Sequence, residues 1–362
     1  MRVLLAGGGT AGHINPAISI ADTIKSNEKD SEFLFVGTKN GMESKLVPKA
    51  GYDIEFIEVS GFKRSLSIKN AVAVLKAANA CIKCKKIIKK FNPDVVIGTG
   101  GYVSGPLLYM ASMLKIPTLI HEQNVFAGMT SKMLCDKVDT VCISFEESRK
   151  RFAKAKNVVL TGNPIRQELF DLGYDQARKR LGVDEKPFVV AFGGSLGATR
   201  VNESMVSYIK YVAEGKCNIL LATGERDYET VVKALAGIEK EGIKVVKYIY
   251  NMNEVMQAAD LLVCRAGAIT VSELNALGKP SVLIPSPNVT DNHQFFNAKA
   301  LADKGAAVLI EEKDLNENIF TSTINNMIAD RKKLEQMGAL SKKMGICNSN
   351  ELIYREIVKI IS

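Results

Sequence analysis

Residues 7–13 read GGGTAGH and follow directly on the apolar run MRVLLA at the start of the chain. Gly7, Gly9 and Gly12 have the G-x-G-x-x-G spacing of a loop that holds a dinucleotide cofactor. That assignment makes a second demand, an acidic residue at the end of the next strand to hold the ribose hydroxyls. Here the second strand ends FVGTKNG (35–41), with Gly37, Thr38 and Lys39 where the acid should stand. No nicotinamide or flavin is therefore expected. The loop reads instead as an anion site, made of backbone amides and the positive end of a helix dipole. Asn15 as N-cap and Pro16 as first helical residue would leave His13 at the loop mouth, on the carboxyl edge of the sheet.

Working outward, short β-rich runs alternate with helical stretches along the whole chain. Strands are expected at 2–6, 32–37, 54–58, 94–98, 117–120 and 139–143, and again at 187–193, 217–223, 243–247, 260–263, 280–284 and 306–310. This alternation predicts α/β architecture with parallel sheets joined by right-handed crossovers. A polar break separates Thr161 from Pro187, and each half opens alike, with LLAGGGTAGH in the first and VVAFGGSLGA (189–198) in the second. The division expected is 1–163, 164–340 and a C-terminal segment 341–362 whose last stretch is an amphipathic helix. Two more glycine clusters follow strands, GTGGYVSGP (98–106) and CRAGAITVSE (264–273). In the latter, amides at Gly267 and Ala268 with the Thr270 and Ser272 hydroxyls suit a diphosphate, and Glu273 one turn on suits two ribose hydroxyls. Turn sterics alone explain any one such loop; four of them with polar residues at matching ends point to ligands.

Composition narrows the class. The 362 residues are 46% hydrophobic and 24% charged, a globular composition long enough for two cores. No run is apolar for the ~18 residues a membrane span needs, and no secretory signal is legible, so a cytoplasmic protein is expected. The net charge of +9 is uneven: residues 1–160 hold 23 Lys/Arg against 14 Asp/Glu, and the remainder holds 25 of each. Nine bases and no acid fall in residues 59–93, namely Lys63, Arg64, Lys69, Lys76, Lys83, Lys85, Lys86, Lys89 and Lys90. Such a stripe is either a solvated helix face or a site for an anionic partner. The seven scattered cysteines include one C-x-x-C, Cys81 and Cys84, without a second pair or a nearby histidine, so reduced thiols are expected. There is no D-x-D pair to hold a metal and no Walker lysine, so helix termini and Arg166 would carry any diphosphate charge.

Seven segments in order resemble the MurG family of peptidoglycan glycosyltransferases: GGGTAGHINPA (7–17), GTGGYVSGP (98–106), HEQN (121–124), TGNPIR (161–166), GGSLGA (193–198), CRAGAITVSE (264–273) and DNHQFFNA (291–298). The resemblance implies a GT-B fold, two Rossmann-like doubly wound domains facing across a cleft, with the C-terminal helix returning to the first domain. It implies inverting, metal-independent transfer of N-acetylglucosamine (GlcNAc) from UDP-GlcNAc to the muramyl 4-hydroxyl of lipid I, making lipid II, at the cytoplasmic face of the membrane. Other cell-wall synthesis proteins would be partners. By position, donor contacts fall on Thr10, Ala11, Gly12, Asn124, Arg166, Ser195, Ile249, Ala268, Ile269, Thr270, Val271, Ser272, Glu273 and Gln294, with Ile249 near the uracil, Glu273 on the ribose and Gln294 on the sugar. The acceptor side takes His13, Tyr102 and Glu122. The chain departs from the family at Ala11, Leu196, Ala266 and His293.

Attack by a hydroxyl calls for a base near neutrality, which histidine supplies. His13 is the candidate and Glu122 its rival, while a histidine bonding its own loop is the structural alternative. A lipid-linked acceptor also gives the basic stripe a use. Residues 61–91 interleave the bases with Leu66, Ile68, Val72, Val74, Leu75, Ile82, Ile87 and Ile88, an interfacial pattern suited to anionic membrane. A nucleic-acid partner is not expected, because only Phe62 and Phe91 flank the bases as stacking residues. A UDP-GlcNAc epimerase of the same fold is the alternative enzyme; it would need no lipid acceptor.

Overall fold

Strand segments such as VVIGTG, TLIHE and NILLA carry no solvent-facing alternation, which suits strands covered by helices on both faces. The computed structural model describes residues 1–59, 68–194, 197–238 and 240–362, with residues 68–75 described by backbone alone. The chain divides into two units, one of residues 1–165 with 348–362 and the other of residues 166–347.

The first unit is a seven-stranded parallel sheet of β1 (Arg2–Gly7), β2 (Glu32–Gly37), β3 (Asp53–Phe56), β4 (Val95–Gly100), β5 (Thr118–Glu122), β6 (Thr140–Ile143) and β7 (Val158–Leu160). Their spatial order is β3-β2-β1-β4-β5-β6-β7. Helices α1 (Ala11–Asn27), α2 (Glu43–Lys49), α3 (Ile68–Phe91), α4 (Ser104–Met113) and α5 (Met129–Leu134) make the crossovers. Alternation along β1 sends Val3 and Leu5 to one apolar cluster with Ile14, Ile20 and Ile24, and Leu4 and Ala6 to another with Ile88 and Leu107.

The second unit repeats the scheme with β8 (Phe188–Phe192), β9 (Asn218–Ala222), β10 (Ile243–Val246), β11 (Leu261–Cys264), β12 (Ser281–Leu283) and β13 (Val308–Leu309), ordered β10-β9-β8-β11-β12-β13. Its helices are α6 (Tyr174–Leu181), α7 (Thr199–Tyr211), α8 (Tyr228–Ala234), α9 (Met252–Ala258), α10 (Ala268–Leu277), α11 (His293–Ala302), α12 (Glu317–Ile328) and α13 (Arg331–Lys343). Both sheets have the Rossmann order, so β1 meets β4 and β8 meets β11 where the winding reverses, the place where such sheets bind ligands. The last helix, α14 (Ser349–Ile361), belongs to the first unit. It lays Ile353 and Ile357 into the α1 cluster, and the Tyr354 hydroxyl donates to Glu28 at 3.0 Å.

The twelve expected strands all form, within a few residues at their ends. A thirteenth, β7, escapes the pattern because its three residues lie between polar loops with no glycine or proline before them. Residues 341–347 stay with the second unit, since α13 runs on to Lys343 and the Ser341 hydroxyl donates to the Asn275 side chain of α10. The apolar interfacial pattern changes on α3. Ala80, Cys84, Ile87 and Ile88 are buried in the core, and among the described side chains of α3 Ile82 is the large aliphatic exposed beside Lys83, Lys85, Lys86, Lys89 and Lys90. Ile87 and Ile88 are therefore core residues and not membrane-facing ones. Lys63, Arg64 and Leu66 lie outside the described residues, as do the side chains of Ile68, Lys69, Val72, Val74 and Leu75.

Docking of α14 depends on two isoleucines. Ile357→Ala should destabilise the first unit by about 2–5 kcal/mol in urea unfolding, whereas exposed Arg355→Ala should change it by less than about 0.5 kcal/mol. Equal effects would contradict this packing.

Candidate active site

In the first unit the loops after β1 and β4 lie side by side because their strands are neighbours. They touch backbone to backbone. A side chain at Gly101 (φ +79°) would collide with the carbonyl of Gly8, and one at Gly7 would collide with the Thr99 hydroxyl. The Gly8 amide donates to the Gly100 carbonyl at 3.3 Å, and the Thr99 hydroxyl donates to the His13 carbonyl at 2.7 Å. Gly100 (φ +109°) faces the imidazole itself: a Cβ there would lie 2.7 Å from His13 Nδ1. Glycine at this place is what makes room for the ring.

Helix α1 begins earlier than its sequence suggests. Thr10 is the N-cap, Pro16 lies inside the helix, and the His13 amide donates to the Thr10 carbonyl at 3.1 Å. Asn15 is not the cap, and His13 belongs to the first turn. Thr10 and Gly12 are exposed and Ala11 half-buried on that turn. The Tyr102 ring lies over Gly9, 3.3 Å from where a Cβ would be.

The anion reading of this loop also changes. The Gly9 amide donates to Glu43 Oε2 at 3.2 Å, so the Gly8 and Gly9 amides are both engaged within the protein. Glu43 is fully buried on α2 and accepts as well from the Thr38 amide (3.0 Å) and hydroxyl (2.7 Å). Burial alone would push its carboxyl up, but these donors outweigh burial and hold it below its ordinary 4.5. The acid missing from the end of β2 thus arrives one turn later, and it braces the loop.

HEQN spans the end of β5, with His121 and Glu122 on the strand, and the start of the loop after it, with Gln123 and Asn124. His121 is fully buried, its Nε2 2.9 Å from the Gly162 carbonyl, and burial pushes it down to about 4, so it is neutral. Gln123 sits between the two histidines: its amide nitrogen is 3.0 Å from His121 Nδ1, and its Oε1 is 3.0 Å from His13 Nδ1. Sequence reading gave Gln123 no role. Glu122 is nearly buried and accepts from the Asn124 amide at 3.2 Å and the Gly128 amide at 3.0 Å, which shapes the turn bearing Asn124.

In the second unit, Gly197 (φ +75°) presses on the Thr223 carbonyl as Gly101 does on Gly8. Ser195 lies outside the described residues. Helix α10 starts at the carboxyl end of β11 with Gly267 as N-cap and no side-chain cap. Ala268, Ile269, Thr270 and Ser272 are half-buried around that start, while Val271 points into the core with no exposed surface. Glu273 is 6% exposed, and Arg166 Nε and Nη2 both donate to its Oε1, at 3.1 and 3.0 Å. Burial raises the Glu273 carboxyl and Arg166 opposes that rise. Gln294 is oriented by the Ser286 amide, which donates to its Oε1 at 2.9 Å and turns its NH2 group outward from that bond. Arg265, which sequence reading also missed, donates to the carbonyls of Ile284 and Pro285, both at 3.1 Å, just before Ser286. Ile249 is buried, so its side chain packs and its backbone is what a base could meet.

Each unit thus carries polar groups at its switch point, the braced Gly8–Gly9 loop with His13 in the first and the Arg166–Glu273 pair beside the start of α10 in the second. Residues 3–143 match the N-terminal domain of glycosyltransferase family 28, and residues 188–352 match its C-terminal domain. The chain belongs to glycosyltransferase family 28. A relative from Acetivibrio thermocellus, named UDP-N-acetylglucosamine--N-acetylmuramyl-(pentapeptide) pyrophosphoryl-undecaprenol N-acetylglucosamine transferase, is 50% identical over 100% of this chain and 98% of its own. One of the same name from Clostridioides difficile is 43% identical over 99% of this chain and 89% of its own. The crystal structure of Acinetobacter baumannii MurG aligns with TM-score 0.83 at 29% identity over 99% of both chains. A UDP-GlcNAc 2-epimerase from Neisseria meningitidis aligns with TM-score 0.68 at 13% identity, over 99% of this chain and 100% of its own, which is a likeness of fold alone. The two family 28 domains are the Rossmann-like halves of a GT-B fold.

Glu43 supplies a pH test of this scaffold. A carboxylate held below its ordinary value stabilises the fold above that value and loses the contribution as pH falls from there through the lowered value. Glu43→Gln, whose NH2 must face a donor, should cost about 1–3 kcal/mol at pH 7, and the gap to wild type should shrink by pH 3.5. A gap that stays constant or widens in urea unfolding at the two pH values would contradict the bracing role.

Proposed function

We propose that this family 28 chain transfers GlcNAc from UDP-GlcNAc to the muramyl 4-hydroxyl of the undecaprenyl-pyrophosphoryl MurNAc-pentapeptide. The observation that carries the reading is the 50% identity over the whole chain to a relative named for that reaction. The site residues fit it. On the acceptor side His13 takes the hydroxyl proton as the new bond to the anomeric carbon forms, and Tyr102 and the 122–124 turn border the same loop. Glu122, bound to two backbone amides, shapes this turn; His13 is the better base of the two. On the donor side the start of α10, with Ser195 and Arg166, takes the charge of UDP as its bond to the sugar breaks, a preorganised electrostatic effect. Glu273 holds the ribose, Gln294 the sugar and the Ile249 backbone the uracil. Attack opposite the departing diphosphate inverts the anomeric centre, and neither metal nor organic cofactor takes part in this scheme.

The lipid carrier gives the exposed bases of α3 their use. Lys83, Lys85, Lys86, Lys89 and Lys90, with exposed Ile82 among them, give α3 a cationic stretch suited to an anionic membrane. Among the described residues no helix is long and apolar enough to cross a bilayer. We take the association to be peripheral and at the cytoplasmic face, as the resemblance of the seven segments implies.

Labelled UDP-GlcNAc incubated with a short-chain lipid I analogue should place label in the lipid, and should stay intact without acceptor; turnover without acceptor favours the epimerase. His13→Ala should lower kcat by about 10²–10⁴-fold, and near-normal turnover would refute the base. Sedimentation with phosphatidylglycerol vesicles should weaken with salt and with Lys85, Lys86, Lys89 and Lys90 changed to Glu. Unaltered pelleting would contradict the membrane face.

A further inference from the structure

We propose that Gln123 is a positioning residue that locks the His13 ring in its Nδ1–H tautomer, anchored by the buried His121, so that Nε2 is the atom left to accept a proton. The inference rests on His13 as the base. It adds which nitrogen acts and what determines that choice.

The direction of each hydrogen bond follows from groups that have no choice. The Gln123 amide nitrogen lies 2.9 Å from the His121 carbonyl oxygen, and a carbonyl can only accept. The reversed amide would set two oxygens against each other there. The NH2 end therefore faces His121, and Oε1 faces His13 Nδ1 at 3.0 Å. An amide oxygen also only accepts, so His13 Nδ1 carries a hydrogen in either charge state. At the far end the Gly162 carbonyl, 2.9 Å away, requires His121 Nε2 to be a donor. His121 is neutral in its fully buried position, so its Nδ1 holds a lone pair for the Gln123 NH2. Every donor in the series His13, Gln123, His121, Gly162 points the same way. Such a chain polarises cooperatively and strengthens when the first ring gains a proton.

The relay is held from outside as well. Gln123 is 2% exposed, and the Asn163 side-chain amide donates to its backbone carbonyl at 3.0 Å. Water therefore has little room to replace it. A neutral amide also fixes the tautomer without placing a carboxylate next to a site for a diphosphate-linked acceptor. The ring nitrogen that acts is set by the bond its partner nitrogen makes.

The chain contains three histidines, so long-range 1H–15N correlation on the full-length, histidine-labelled protein resolves them, with His13→Ala and His293→Gln for assignment. Wild type should show His13 as Nδ1–H and His121 as Nε2–H. In Gln123→Met, which keeps length and removes both polar atoms, His13 should move toward Nε2–H. Its kcat should fall about tenfold or more while the UDP-GlcNAc KM stays within about twofold, part of the range for general-base catalysis. A wild-type His13 in the Nε2–H form overturns the lock whether or not any variant folds. So does a Gln123→Met protein with wild-type kcat and tautomer. Near-normal turnover by His13→Ala would instead overturn the base assignment and leave the tautomer result standing.

Discussion

The contact on which the first unit depends is between two backbones, where the loop after β4 runs against the loop after β1. Gly101 has no room for a side chain beside the Gly8 carbonyl, and Gly100 has none beside the His13 ring. The contact exists because the winding reverses between β1 and β4, which brings strands distant in sequence together at their carboxyl ends. The Thr99 hydroxyl then fixes the His13 carbonyl, and the loop after β5, on the far side of β4, reaches the imidazole through Gln123. The histidine is positioned by the sheet order as much as by its own helix.

The two units use one architecture for opposite electrostatic ends. In the first, the Gly8 and Gly9 amides are bound by Gly100 and Glu43, and the loop serves as a rigid seat for a side chain. In the second, α10 starts without a side-chain cap and Arg166 stands beside it on Glu273, which suits a charged donor. Buried polar groups are costly unless satisfied, and Glu43 and Gln123 meet that cost by bonding the loops. The same bonds that keep them soluble in the interior hold the site in shape.

The strands, the four glycine turns and the duplicated architecture were legible in the sequence because each is a local pattern of apolar runs and turn residues. The MurG-type segments supplied the candidate site residues by position. What could not be read was long-range. Glu43 falls on α2, past the strand end where a ribose-binding acid is sought, and only folding returns it to Gly9. Gln123 gains its meaning from His13, more than a hundred residues away. The start of α1 was misplaced because Asn15–Pro16 is a strong local start signal, yet Thr10 begins the helix and Pro16 is carried inside it. On α3, composition gave the bases correctly but could not say that Ile87 and Ile88 turn inward.

The seat of His13 is tested most directly by a double-mutant cycle between Gly100→Ala and His13→Ala, read as stability in urea. Contacting residues couple by about 0.5–3 kcal/mol, and independent ones add. The account predicts that Gly100→Ala is markedly destabilising beside the wild-type imidazole and considerably less so once His13 is alanine. An equal cost in both backgrounds would mean that Gly100 serves its own backbone conformation alone, and that the ring is not held by this glycine.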